Sequence, residues 1–112
     1  MDYTRQNFLP LTESTFLILA SLASPKHGYA VMQDVTKWSE GKTRLGPGTL
    51  YGALTKLLDQ GLIQRTDDPE PGDERRKHYV LTPRGRLVVE AECARLEAAA
   101  LLGRKLLNGK DE

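Results

Sequence analysis

Residues 46–63 carry the most regular hydrophobic pattern in the chain. Leucines recur there at the spacing that places side chains along one face of a helix. Pro47 suits the first turn of such a helix, because the N–H that proline lacks has no partner there, and Gly61 favours a left-handed stop. The leucines of this stripe are Leu50, Leu54, Leu57 and Leu58. The pattern predicts a central helix with one buried face.

The opposite face of the central helix is small, hydroxylated and weakly basic. At roughly 100° per residue, this face is formed by Gly48, Thr49, Gly52, Thr55 and Lys56. A helix that enters the DNA major groove needs such a face, since glycine and threonine let the backbone approach base edges and phosphates. An ordinary amphipathic helix, with packing reasons for its glycines, fits the same residues.

Two more helices are predicted before the central one. Thr12 is a suitable N-cap for a helix over residues 13–23, whose apolar residues point nearly all round its axis. We therefore expect this helix to be buried on more than one side, and one of those sides to contact a partner subunit. A second helix is expected over residues 28–39, followed by a short extended piece at 42–45. The buried stripe of this second helix is predicted to be Val31, Met32, Val35 and Trp38. Together with the central helix, this arrangement makes a helix-turn-helix candidate.

Two alternating stretches behind the central helix predict a β-wing. Residues 62–66 and 77–81 have the composition of strands, and the loop 67–76 between them contains two prolines and a glycine. A basic cluster lies at or just beyond the wing tip, where it can meet DNA phosphates. Its residues are Arg75, Arg76 and Lys77, with His78 beside them. The neighbouring Asp73 and Glu74 could instead pair with the arginines and leave a neutral hairpin.

The last helix is predicted to run from Pro83 to about Leu107, with Thr82 as its N-cap. Its length of about 37 Å exceeds what a domain of this size can cover, and it carries two apolar faces. A homodimer built on this helix and on the first one would cover the apolar face that the domain itself cannot cover. The alternative is a single C-terminal helix whose last turns are frayed. The candidate dimer residues are Phe16, Leu19, Leu87, Ala91, Ala94, Ala98, Leu101 and Leu102.

Composition limits the remaining functions. The chain has 112 residues, a net charge of +1, and hydrophobic and charged fractions of 39% and 28%, which suits one soluble domain. Neither a signal-peptide pattern nor a membrane-spanning apolar run is present, so we expect a cytoplasmic protein. Cys93 is the single cysteine and lies on an apolar helical face, while His27 and His78 are not spaced as a metal pair. We therefore expect no enzyme, no metal site and no cofactor.

The sequence resembles the PadR family of transcriptional regulators. Residues 48–63 match the family pattern G-x-L-Y-x-x-L-x-x-L-x-x-x-G-L-I, and residues 76–85 match R-K-x-Y-x-L-T-x-x-G. The His-Gly-Tyr of the family is matched at residues 27–29, and the resemblance covers about residues 10–88. The single long terminal helix is similar to that of the short subfamily. One departure is Gly52, which stands where proline is frequent in the family.

The resemblance implies a winged helix-turn-helix homodimer that binds a pseudo-palindromic double-stranded DNA operator, usually as a repressor. It implies that Thr49, Tyr51, Thr55 and Lys56 lie at or near DNA. Some members of the family bind small aromatic or planar molecules at the dimer interface. For such an effector the candidate aromatic residues here are Tyr3, Phe8 and Phe16.

We therefore predict a mainly α (α+β) protein, a winged helix-turn-helix with a long C-terminal dimerisation helix. Residues 1–82 are expected to form the N-terminal arm and DNA-binding domain, and residues 83–112 the dimerisation helix and tail. The full set of candidate DNA-binding residues is Lys42, Arg44, Gly48, Thr49, Tyr51, Gly52, Thr55, Lys56, Arg75, Arg76, Lys77 and His78. A winged-helix module that binds only other proteins is the alternative, which the basic cluster and the small helix face disfavour.

Overall fold

A computed structural model describes residues 8–66 and 77–109 of the chain. Its helices are α1 Glu13–Ser21, α2 Gly28–Trp38, α3 Pro47–Asp59 and α4 Pro83–Leu107. Its strands are β1 Lys26–His27, β2 Ile63–Thr66 and β3 His78–Leu81. The predicted helices and both wing strands are confirmed, with ends that differ by a residue or two.

Local capping chemistry explains where α1 and α4 begin. The hydroxyl of Thr12 accepts the Thr15 N–H at 3.1 Å, and the hydroxyl of Thr82 accepts the Gly85 N–H at 3.0 Å. Each bond satisfies one amide that the first helical turn leaves without a partner. At the end of α3, Gly61 has a φ of 75°, as the predicted left-handed stop requires.

The strand β1 is an addition to the predicted elements, since the sequence pattern indicates no strand at residues 26–27. These two residues pair antiparallel with β3, in the register Lys26↔Tyr79 and His27↔His78, and the sheet order is β1-β3-β2. His27 also caps α2, since its Nδ1 accepts the Ala30 N–H at 3.2 Å. A two-residue strand shows no alternation, and histidine is an unusual cap. Neither feature could be recognised locally.

The core lies where α1, α2 and α3 meet the sheet and the first turns of α4. Its buried apolar residues are Ile18, Leu19, Leu22, Val31, Val35, Leu50, Leu54, Leu57, Leu62, Ile63, Tyr79 and Val88. The leucine stripe predicted for the central helix is buried as expected, apart from Leu58, which is half-buried. One domain core therefore supports both the recognition-type helix and the wing.

Trp38 is not part of that core, and its predicted burial is wrong. Its side chain is 56% exposed at the last turn of α2. The Lys26 ammonium stands 5.0 Å from the centre of a Trp38 ring and bonds the Asp34 carboxylate at 2.8 Å. The cation on its aromatic face stabilises the indole in this exposed position, while Val31 and Val35 fill the core side of α2.

A tight joint fixes the start of α4 to the end of α3. The Thr82 hydroxyl donates to the Gly61 carbonyl at 2.7 Å, and the Thr82 N–H donates to the Leu62 carbonyl at 3.1 Å. A Cβ on Gly85 would overlap the Leu62 carbonyl oxygen. Glycine at this position therefore permits the close approach of the helix to the chain at residue 62. Beyond residue 95, α4 is exposed apart from Gly103.

Candidate nucleic-acid interface

The outward face of α3 is open to solvent along its length. Gly48, Thr49, Gly52, Thr55 and Lys56 are all exposed. A Cβ built on Gly48 or on Gly52 would have no atom within 4 Å among the described residues outside its own helix segment. Packing within the described protomer therefore gives no reason for glycine at either position, although glycine costs a helix about 1 kcal/mol relative to alanine.

Thr55 is oriented by its own helix. Its hydroxyl donates to the Tyr51 carbonyl one turn earlier, at 2.9 Å. The hydroxyl proton is thereby used, while the side chain as a whole is exposed and its oxygen can still accept a hydrogen bond. Such a group can accept from an amino group on a base edge and can contact a thymine methyl.

Tyr51 lies at the contact between α2 and α3. Its ring rests on Gly28, whose added Cβ would be 2.8 Å from the Tyr51 hydroxyl oxygen. The residue is nevertheless 45% exposed, and Tyr29, which follows Gly28 in the chain, is also exposed. The ring is therefore packed on one side while part of the residue remains accessible. Tyr29 was not among the predicted site residues.

The loop before α3 holds two exposed cations around a fixed residue. Lys42 and Arg44 are exposed, whereas Thr43 between them is buried. The Ser39 hydroxyl accepts the Thr43 N–H at 2.9 Å. The turn itself begins at Glu40 and Gly41, which have φ values of 55° and 80°. The predicted extended piece is thus a loop whose anchor points two basic side chains outwards.

The wing contributes Lys77 and His78, while Arg75 and Arg76 lie outside the described residues. Lys77 is exposed, and His78 is half-buried at the edge of β3. The His78 ring meets the His27 ring edge-on, with centroids 5.7 Å apart. On β2, Arg65 is exposed opposite Tyr79. Arg65 was missed, although an outward arginine in a predicted wing strand was visible in the sequence.

The candidate dimer residues divide into exposed and buried sets. Leu87, Leu101 and Leu102 are more than half exposed, and Ala94 and Ala98 are exposed beside them. Ala91 and Phe16 are half-buried. Leu19 has no exposed surface, since it lies within the core of its own protomer. The structure therefore corrects the assignment of Leu19, which offers a partner nothing to touch.

Glu92 is a buried carboxylate that the sequence did not single out. It is 1% exposed and accepts the Leu11 N–H at 3.1 Å. Arg95 donates to both of its oxygens, at 2.6 Å from Nε and 2.8 Å from Nη2. The Arg95 hydrogen bonds lower the pKa of Glu92 below its usual value, against burial, which raises it. This pair ties the segment before α1 to the middle of α4.

A cavity of about 330 Å³ opens beside this pair, between α1 and α4. Phe16, Leu17 and Leu96 supply its apolar wall. Phe8 lies elsewhere, with the Arg84 guanidinium 5.5 Å from its ring centre, and Tyr3 is outside the described residues. Of the three aromatic candidates for an effector, Phe16 is therefore the one placed at this cavity.

Residues 8–66 and 77–109 contain no group of three side chains suited to hold a metal ion. Within the same residues, no helix is long and apolar enough to cross a membrane.

Comparison with known proteins identifies relatives of this fold. The model of the transcriptional regulator PadR-like family matches residues 17–91. A PadR family transcriptional regulator from Eggerthella lenta is 28% identical, with a TM-score of 0.70 over 83% of this chain and 80% of that one. A PadR family regulator from Clostridium difficile, 23% identical with a TM-score of 0.69 over 86% of this chain and 99% of that one, supports the fold alone.

A sequence relative is an uncharacterised 37.1 kDa protein in transposon TN4556 of Streptomyces fradiae. The two are 40% identical over 81 residues, which is 71% of this chain. The chain spans 22% of the length of that relative.

Proposed function

The chain belongs to the PadR-like family of transcriptional regulators, and we propose that it acts as a homodimeric repressor of a pseudo-palindromic DNA operator. The α3 helix enters the major groove, and the wing follows the neighbouring phosphates. Residues 1–82 carry the DNA contacts, and residues 83–112 carry the dimer contacts. Such a repressor works in the cytoplasm on operator DNA and performs no catalysis.

The observation that carries the proposal is the pair of glycines on the outer face of α3. Gly48 and Gly52 are exposed and have open space where a side chain would stand. A glycine that weakens a helix without a packing reason indicates that something outside the protomer comes close. DNA suits this face, because exposed Lys56 and Thr49 offer a cation and a hydroxyl beside the glycines.

The homodimer is supported by the second half of α4. Leu101, Leu102, Leu106 and Leu107 are all more than half exposed within one protomer. The small side chains of Ala94 and Ala98 allow another helix to approach closely on the same element. A dimer covers these leucines and places two copies of α3 on one side of a duplex.

Release by a small aromatic molecule between the subunits is a further part of the proposal. The cavity beside Phe16 supports it, because the cavity lies between the two helices that we assign to the interface. Planar aromatic compounds should weaken operator binding by the wild-type protein. The same compounds should act poorly on Phe16→Ala, whose operator affinity without them is the control.

The test of the main proposal is an anisotropy titration of DNA taken from upstream of the protein's own gene, with random DNA as the control. Both are measured at two salt concentrations. Tight upstream binding that persists at the higher salt supports a sequence-specific regulator. Equal, salt-sensitive binding to both DNAs contradicts it, and binding to neither favours a protein–protein module.

A further inference from the structure

A second cavity, of about 250 Å³, lies against the flank of α3. One wall is the segment before α1, with Phe8 and Leu11, and the other is α3, with Ala53 and Leu57. All four residues line the cavity, and Leu57 also belongs to the core. The cavity therefore has apolar residues on both walls, and one wall is the helix that we assign to DNA.

Two polar side chains stand at the rim of this cavity one helical turn apart. Lys56 and Gln60 both line it. Neither side chain has a hydrogen bond or ion pair with any described residue. Across the cavity, the Thr15 hydroxyl accepts from Thr12 at 3.0 Å and keeps its own proton for another acceptor. The rim thus offers an ammonium, an amide and a hydroxyl as donors.

We propose that this cavity binds a small amphiphilic carboxylate, and that the ligand competes with DNA for Lys56. The carboxylate accepts from the Lys56 ammonium and the Gln60 amide, and the hydrocarbon body lies on the Phe8 and Leu57 side chains. A charged donor beside apolar walls selects a monoanion with an apolar tail over a neutral alcohol or a bare acetate ion.

The competition follows from the position of Lys56 on α3. Lys56 lines the cavity and also belongs to the exposed face assigned to DNA. A ligand that holds this cation removes one phosphate neutraliser from the DNA interface. The competition rests on the proposed function, whereas the binding of the carboxylate does not.

Octanoate is a suitable probe, with acetate and octan-1-ol as matched controls for its head and its tail. Isothermal titration of the free protein should detect octanoate and give at least about tenfold weaker binding of either control. At saturating octanoate, operator affinity should fall by about tenfold, within the usual range for coupled sites. Acetate at the same concentration keeps the ionic strength equal and should leave operator affinity unchanged.

Ala53→Leu locates the site, because it fills the cavity with an apolar side chain and leaves the rim donors in place. It should abolish octanoate binding, whereas Ala23→Leu, at an exposed position in the turn after α1, should bind octanoate as the wild type does. Circular dichroism checks that both variants fold. Absence of octanoate binding, or undiminished binding by Ala53→Leu, overturns the site.

Octanoate binding without any effect on operator affinity overturns the competition. If the protein binds no DNA even without octanoate, the proposed function fails while the calorimetric result for the cavity still stands.

Discussion

The ring of Tyr51 lies directly against the backbone of Gly28. A methyl group on Gly28 would come 2.8 Å from the Tyr51 hydroxyl oxygen and 3.0 Å from two ring carbons. The obstructed atoms are the outer end of a side chain, so we expect Gly28→Ala to displace the tyrosine and leave the fold intact. Since Tyr51 is a proposed DNA contact, operator affinity should fall by about tenfold, which corresponds to about 1.4 kcal/mol.

A double-mutant cycle isolates this relationship. In a Tyr51→Ala background there is room for the methyl group, so Gly28→Ala should cause no further loss of operator affinity. An equal loss in both backgrounds would show that Gly28 acts independently of the tyrosine. Urea unfolding of all four proteins gives the control for stability.

Gly52→Ala should strengthen the fold and weaken DNA binding. The added methyl group meets open space on a helix, so the free energy of unfolding should rise by about 0.5–1 kcal/mol. The same methyl group should hold α3 away from the duplex and lower operator affinity by about tenfold. Gly103→Ala is the matched control for stability, because it makes the same change in open space on α4. Unchanged DNA affinity in Gly52→Ala would remove this position from the interface.

Gly85→Ala should destabilise the protein strongly. The methyl group would overlap the Leu62 carbonyl oxygen, which belongs to the backbone and cannot rotate away. We expect a loss of about 3 kcal/mol in the free energy of unfolding, measured by chemical denaturation. A loss below about 0.5 kcal/mol would mean that the start of α4 shifts without cost.

Glu92→Gln should change the pH dependence of stability. The lowered pKa of Glu92 means that the folded state binds its proton less readily than the unfolded state does. This contribution is present above the usual glutamate pKa of about 4.5 and is lost as the pH falls through the lower folded value. At pH 7 the variant should be less stable by about 1–3 kcal/mol. The difference from wild type should shrink below pH 4.5. Glu97→Gln, at an exposed position on the same helix, controls for the substitution itself.

Replacing Arg75 and Arg76 together by alanine should weaken binding to all DNA sequences alike. Phosphate contacts carry no sequence information, and each one contributes about 0.9 to the slope of log affinity against log salt. The double variant should lower that slope by about 1.8. Thr55→Ala provides the contrast, since the loss of a base-edge contact alters operator preference and leaves the slope unchanged. If the double arginine variant keeps the wild-type affinity and salt slope, these arginines do not contribute to DNA binding.

Much of the fold was predictable because its signals are local. Thr12 and Thr82 each cap the helix that follows, Gly61 ends α3, and the leucine spacing fixes the buried face. The features that were missed depend on distant partners. The two residues of β1 pair as a strand with β3, which is distant in the chain, and exposed Trp38 has the Lys26 ammonium on its ring.

The residues of the candidate site also include some that local sequence predicts and others that depend on distant partners. The outward face of α3 follows from helical periodicity, so its five residues could be placed from the sequence. The burial of Glu92 could not, because its pairing with the Leu11 N–H joins positions 81 residues apart. The full burial of Leu19 could not be predicted either. On a helix that is apolar all round, an apolar residue can face the core or a partner subunit.

Because α4 is fixed to the domain at Thr82 and Gly85, a small tilt at that point is amplified along the helix. The helix extends about 37 Å from that joint, so a tilt of about 5° there moves its far end by about 3 Å. In the proposed dimer the far ends are held together, and the same tilt instead changes the distance between the two copies of α3. Operator half-sites one turn apart tolerate little error of this kind. In the proposed dimer, the spacing of the two α3 helices along the DNA would therefore be set at the Gly85–Leu62 contact.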